Sequence, residues 1–228
     1  MPENDFSARY ELKIVYPHTW ISEVQGWITS HPAGFITAYP PRWVNSFYFD
    51  TPDLDSFNDH LAGVPERRKL RFRWYGESLQ VGRGQMEIKN KTERAGWKET
   101  QSIAYTFDFE KMGWSQILTE LQQQSSGIIR ELLSVVRPTL LTVYWREYYV
   151  SSDGVVRLTL DSNLRAFDQR FTAQPNLWFR QPLEDDLIVE LKSDVANAPI
   201  LADILTYFPS RTERRSKYVD ALEKMMGF

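Results

Sequence analysis

Cysteine is absent from the chain. That excludes a disulfide framework, a thiol nucleophile and any cysteine-ligated zinc or iron–sulfur centre. An excess of one charge is also missing: 27 lysines and arginines stand against 30 aspartates and glutamates, a net charge of −3. A chain so balanced has no global field for nucleic acid, and no nucleic-acid partner is expected; any anion site must come from where the charges sit. No window reaches the roughly 18 apolar residues that cross a bilayer, and the opening MPENDFSARYELK lacks the apolar core of a secretion signal. The expectation is a cytoplasmic protein with no transmembrane segment of its own. No GxxxxGK[ST], GxGxxG or GxSxG motif occurs, and His18, His31 and His60 lack metal-ligand spacing.

What is present suffices for a packed core. Of 228 residues, 42 % are hydrophobic, and no repeat or linker divides them. One domain over residues 1–228 is expected. Period-two alternation predicts strands at 8–16, 44–50, 69–75, 85–91, 100–104, 140–151, 155–161 and 187–192. Gly82-Arg83-Gly84 and Ser152-Asp153-Gly154 read as turns, and Tyr39-Pro40-Pro41 as a loop. Helical spacing predicts helices at about 18–29, around Phe57, around Ile117 and Leu121, around Ile129 and Leu133, and from Tyr218 to Met225 with Ser216 as N-cap.

The chemistry lies in what alternates. Six strands pair an apolar face with a charged one, and the charged faces together carry nine cations: Lys13, Lys69, Arg71, Arg73, Lys89, Lys91, Arg146, Arg157 and Lys192. Only four carboxylates, Glu11, Glu87, Asp161 and Glu190, accompany them. Taken singly, such strands suit an open sheet with a wet charged side. Taken together, they predict an α+β fold: a closed antiparallel β-barrel tunnel of about eight strands, helices packed outside, cations inside. Unpaired ions in a narrow lumen cost several kcal/mol each by order of magnitude, so a polyanion is expected to fill it. A hard divalent cation, Mn²⁺ or Mg²⁺, would take one or two carboxylates plus phosphate oxygens, with Glu190 the first choice and Glu87 the second.

Eight segments carry a resemblance: ARYELK, SFYFDTPDL, RRKLRFRWYG, EIKNK, RPTLLTVYWREYY, RLTLD, IVELK and SKYVDALE. In this order, over residues 9–223, the chain resembles the polyphosphate polymerase domain of the vacuolar transporter chaperone (VTC) family, a branch of the triphosphate tunnel metalloenzymes with a CYTH-like fold. The resemblance implies phosphate ligands at Lys13, Arg71, Arg73, Lys89, Arg146, Arg157 and Lys217. Tyr144 would line the site and Glu190 would bind metal. Lys192, Ser216, Lys69, Lys91, Arg68 and Glu11 would be neighbours. It further implies a metal-dependent transfer of the ATP γ-phosphate onto inorganic polyphosphate, with Arg71, Arg73, Arg146, Arg157 and Lys89 catalytic. A membrane protein would serve as partner for product export, holding the chain at the inner face of a membrane. Two other readings stay open: a tripolyphosphate or nucleoside triphosphate hydrolase, with water oriented by Glu11 or Glu87, and a non-catalytic polyphosphate-binding module. Arg9 stands where the wider superfamily's ExExK has its first glutamate. Arg71→Ala or Arg146→Ala is expected nearly to abolish turnover with the fold intact. The basic run 211–215 is expected in solvent or at the tunnel mouth.

Overall fold

Alternation along the chain builds strands β1 (Arg9–Pro17), β2 (Ile36–Asp50), β3 (Arg67–Tyr75), β4 (Val81–Gly82), β5 (Gly84–Lys91), β6 (Gly96–Ser102), β7 (Phe107–Asp108), β8 (Arg137–Val150), β9 (Arg157–Asp168), β10 (Arg180–Gln181) and β11 (Asp186–Asp194). Helices α1 (Ile21–Thr29), α2 (Asp55–Leu61), α3 (Trp114–Gln124), α4 (Gly127–Leu133), α5 (Ala198–Leu205) and α6 (Lys217–Met226) fill the connections. The computed structural model describes residues 9–92, 96–184, 186–213 and 215–227; the expected strand start at Ala8 lies outside them.

The main sheet is antiparallel, in the order β1-β11-β9-β8-β2-β3-β5-β6, with β10 added to β9. It curls so strongly that Lys89 on β5 reaches Glu11 on β1 at 3.0 Å across the interior. Phe47, Phe72, Trp74, Met86 and Ile88 point to the convex side and pack on α3 and α4 through Ile117, Leu121, Ile129 and Leu133. Ile14, Leu158, Leu160, Val189 and Leu191 do the same on α1 and α5 through Val24, Ile28, Leu201 and Ile204. On the concave side, α2 and α6 cover the Leu140 end of β8 with Phe57, Tyr218, Val219 and Leu222. Asp50, 1 % exposed, ties these two helices together. Its carboxylate accepts the backbone N–H groups of Ser56 and Phe57 at the start of α2 and the Tyr218 hydroxyl at 2.6 Å.

The closed barrel is not formed. β1 and β6 stand at opposite ends of the pairing order, leaving a half-barrel. The outer edge of β1 is taken by another segment: Ile14 bridges Thr212, and Glu213 N–H donates to the Lys13 carbonyl at 2.8 Å. Strand-edge groups that could have closed the sheet are used there.

Other differences are local. β2 runs through Tyr39-Pro40-Pro41, because register shifts on either side of Tyr39 absorb the prolines as a bulge. Sequence patterning also missed α5, and β4 with its partner β7. Ser152-Asp153-Gly154 does join β8 to β9, with Gly154 at φ +76°, a conformation that favours glycine. Among the described residues no helix is long and apolar enough to cross a membrane.

Candidate functional site

The cross-strand register decides which charges meet. Arg71 lies opposite Glu87, Arg146 opposite Asp161, Lys13 opposite Glu190 and Glu11 opposite Lys192. Those are complementary pairs. Lys69 opposite Lys89, Arg67 opposite Lys91 and Lys192 opposite Arg157 are like-charge pairs, which destabilise a bare sheet.

Most of these side chains converge on one concave cavity of about 190 Å³; Glu87, Asp161 and Arg157 do not line it. Eleven cationic residues line it against two carboxylates, Glu11 and Glu190. From the sequence-based set it gathers Lys13, Lys69, Arg71, Arg73, Lys89 and Lys91, then Tyr144, Arg146, Lys192, Ser216 and Lys217. Tyr48, His60 and Arg67 also line it and were missed, and Arg215 joins them from the run expected in solvent or at the mouth. Tyr48 hid in the aromatic run FYF, although its parity with Ser46 would have exposed it. His60 and Arg215 come from outside the strands, where alternation says nothing. Within the run 211–215, Arg211 is exposed, Arg215 reaches the cavity and Arg214 lies outside the described residues.

Three expected residues stand elsewhere. Arg157 shares the face of Asp161 but is the first residue of β9, exposed and outside the lining; Arg68 points away from it. Glu87 lies beneath the cavity, fully buried. It accepts Arg71 Nε at 2.6 Å, Gln85 at 2.7 Å and Lys98 at 3.0 Å. With both oxygens engaged by cations and no access to the cavity, Glu87 is an orienter of Arg71, in a position unlike that of a metal ligand.

Asp161 plays the matching part for Arg146. Its two oxygens take Nε at 2.5 Å and Nη2 at 2.7 Å, and Lys217 Nζ adds a contact at 2.5 Å. Burial opposes ionisation of both Glu87 and Asp161, but the adjoining Arg71 and Arg146 outweigh it and hold both carboxyls below the usual range. Two guanidinium forks are thereby fixed at the floor of the site; Arg71 Nη1 also donates to the Tyr48 hydroxyl at 3.2 Å, and Arg146 Nη2 lies 3.7 Å from Glu190. This pairing revises the alanine expectation. Removing Arg71 or Arg146 would leave buried Glu87 with Lys98, or Asp161 with Lys217, as the remaining hydrogen-bonded cation, so the fold is expected to weaken along with turnover.

The cavity's own groups are strained by their company. Burial pushes the Lys69 ammonium down to about 7, with Lys89, Lys13 and Arg67 adding to it. Lys69 has no carboxylate within ion-pair reach among the described residues; it contacts Ser216 Oγ at 2.7 Å and His60 Nδ1 at 3.2 Å. Ser216 occupies the N-cap position of α6, but its hydroxyl makes no capping bond. Burial and neighbouring cations also hold the His60 imidazole down to about 4. Burial and Glu190 would raise the Glu11 carboxyl, yet Lys89, Lys13 and Lys192 hold it at about 2. Burial opposes Glu190 too, and Lys192, Lys13 and Arg146 keep it well below the usual range.

Glu11 and Glu190 are the carboxylates that could meet a divalent cation. No group of three or more acidic or histidine side chains is placed to hold one among the described residues. The donor set therefore fits a hard cation that draws most of its oxygens from a bound phosphate chain and water.

A family model described as VTC domain matches residues 8–226. Subunit 2 of the vacuolar transporter chaperone complex of Saccharomyces cerevisiae is 24 % identical over 182 residues, covering 65 % of this chain and 22 % of the yeast protein. This chain thus spans about a fifth of that relative. Among solved structures, an adenylate cyclase candidate from Vibrio parahaemolyticus superposes with a TM-score of 0.55 at 12 % identity, covering 95 % of this chain and 98 % of that one. HpAC1 from Hippeastrum, described with a dominant triphosphatase activity, gives 0.51 at 16 % identity, covering 97 % and 96 %. Both share the fold of this chain.

Proposed function

The chain belongs to the VTC domain family, and from that premise we propose that it is a polyphosphate polymerase, moving the γ-phosphate of ATP onto an inorganic polyphosphate chain. The observation that carries this reading is the cavity's imbalance. Eleven cations face two carboxylates in an otherwise acidic chain, and like charges sit directly opposite one another. A condensed phosphate is the guest that relieves both.

Arg71, Arg73 and Arg146 hold the triphosphate, and Lys13, Lys89 and Lys217 hold the acceptor chain. A terminal phosphate oxygen of that chain attacks the γ-phosphorus in line. The new P–O bond forms as the bond to the β,γ-bridging oxygen breaks, and ADP leaves with the electron pair. Glu190 and Glu11 would hold Mn²⁺ or Mg²⁺ against the phosphates, which when bound neutralises charge on their oxygens. The residues contribute position and preset charge. The two cavity carboxylates are poor bases for activating water. Every carboxylate here is ion-paired, and Glu11 at about 2 is a weak proton acceptor, whereas an anionic phosphate needs none removed. A membrane protein is the proposed partner for export, in keeping with kinship to a subunit of a complex.

The test is incubation with ATP, Mn²⁺ and a short polyphosphate, separating long chains from free phosphate. Long chains are expected. Free phosphate alone would establish hydrolysis, and binding without turnover a non-catalytic module.

A further inference from the structure

A second cavity, of about 440 Å³, adjoins the first. The two share Arg73, whose guanidinium contacts Ser46 Oγ at 3.2 Å and the Tyr144 hydroxyl at 3.3 Å. Beyond Arg73 the wall is made by Tyr75, Arg83, Gln85 and Ser102. The two cavities differ in character. The first is small beside ordinary ligand pockets, roughly 300–1,000 Å³, and is crowded with charge; the second falls within that range and has one aromatic ring and a few polar groups.

Strand geometry lines them up. Lys69, Arg71, Arg73 and Tyr75 share one face of β3, and two residues of strand advance about 7 Å, so Tyr75 stands one step past the last phosphate-facing arginine. Its ring is 41 % exposed and is fixed from one side by Arg42, whose guanidinium carbon lies 3.8 Å from the ring centroid. Arg42 also donates to the Tyr148 hydroxyl at 3.1 Å and has no carboxylate partner among the described residues. Gly84 lets β5 run close against β3 beside this wall: a Cβ there would come within 1.9 Å of the Arg73 carbonyl oxygen.

We propose that the second cavity seats the nucleoside of a nucleoside triphosphate, stacked on Tyr75, while its phosphates occupy the first. This rests on the reading of the first cavity as a phosphate site. A cavity of about 190 Å³ has room for a phosphate chain but needs base and ribose to lie outside it. A ring held by a cation from behind stacks any base face with little sequence preference.

Calorimetric titration of ATP and of tripolyphosphate, which has no nucleoside, tests the assignment. In Tyr75→Ala, ATP should bind roughly tenfold more weakly while tripolyphosphate is unchanged. Arg83→Gln, exposed on the same wall, should shift ATP alone in the same direction, and serves if the first variant does not fold. Equal weakening of both ligands, or of neither, would overturn the proposal while leaving the phosphate site standing. Wild-type protein that binds neither ligand would remove the phosphate site and this seat together.

Discussion

Consider Glu87→Gln, an isosteric change that removes one buried negative charge. Glu87 is fully buried and engages Arg71 through Nε at 2.6 Å and Nη2 at 2.5 Å. Its third cation, Lys98, is about half exposed and adds little. The loss is therefore that of one buried pair, about 3–5 kcal/mol, because Arg71 and the nearby Arg73 stay charged with no counter-ion. For a domain of this length that lowers Tm by roughly 6–20 °C. The assay is thermal and urea unfolding, each with and without tripolyphosphate. Bound phosphate supplies the missing negative charge, so the variant should gain more from ligand than wild type does. Unfolding within about 1 kcal/mol of wild type would refute the role given to Glu87. So would an equal gain from ligand in both proteins.

Arg71→Lys keeps a cation for Glu87 but removes the fork; turnover should fall by about 10²-fold with Tm near wild type, measured as ADP release beside an unfolding scan. Lys69 titrates at about 7 in the folded chain against an ordinary 10.5, so the unfolded chain binds more protons across that window and the ligand-free protein gains stability from this group as pH rises through it. Tripolyphosphate reverses the shift. At pH 8 its binding should take up about one proton, read as a difference in heats between buffers of unlike ionisation enthalpy and lost in Lys69→Met.

Much of the sheet could be read from alternation, since each strand carries its inward and outward sides in the residues themselves. Lys69, Arg71 and Arg73 against Leu70, Phe72 and Trp74 declare both the strand and the side that faces the cavity. What alternation cannot report is how the ends of the sheet meet, because that depends on partners far along the chain. Thr212 and Glu213, on the edge of β1, are such partners. Arg157 shows the same limit: its phase is right, but its place at the first residue of β9 leaves it outside. Glu87 shows another, since phase places it beside the cations without revealing that Arg71 folds over it.

The unclosed sheet changes how a long polymer could be loaded. A sealed pipe accepts a thread only by its tip. Here no strand pairing joins the two ends of the sheet among the described residues: the 212–213 segment covers the edge of β1, and side chains, chiefly Lys89 of β5 on Glu11, cross the gap. A polyanion, on the proposed function, would compete for that lysine and so undo the lacing it must pass. On the proposed function, a chain of any length would then be laid in from the side, with no free end required.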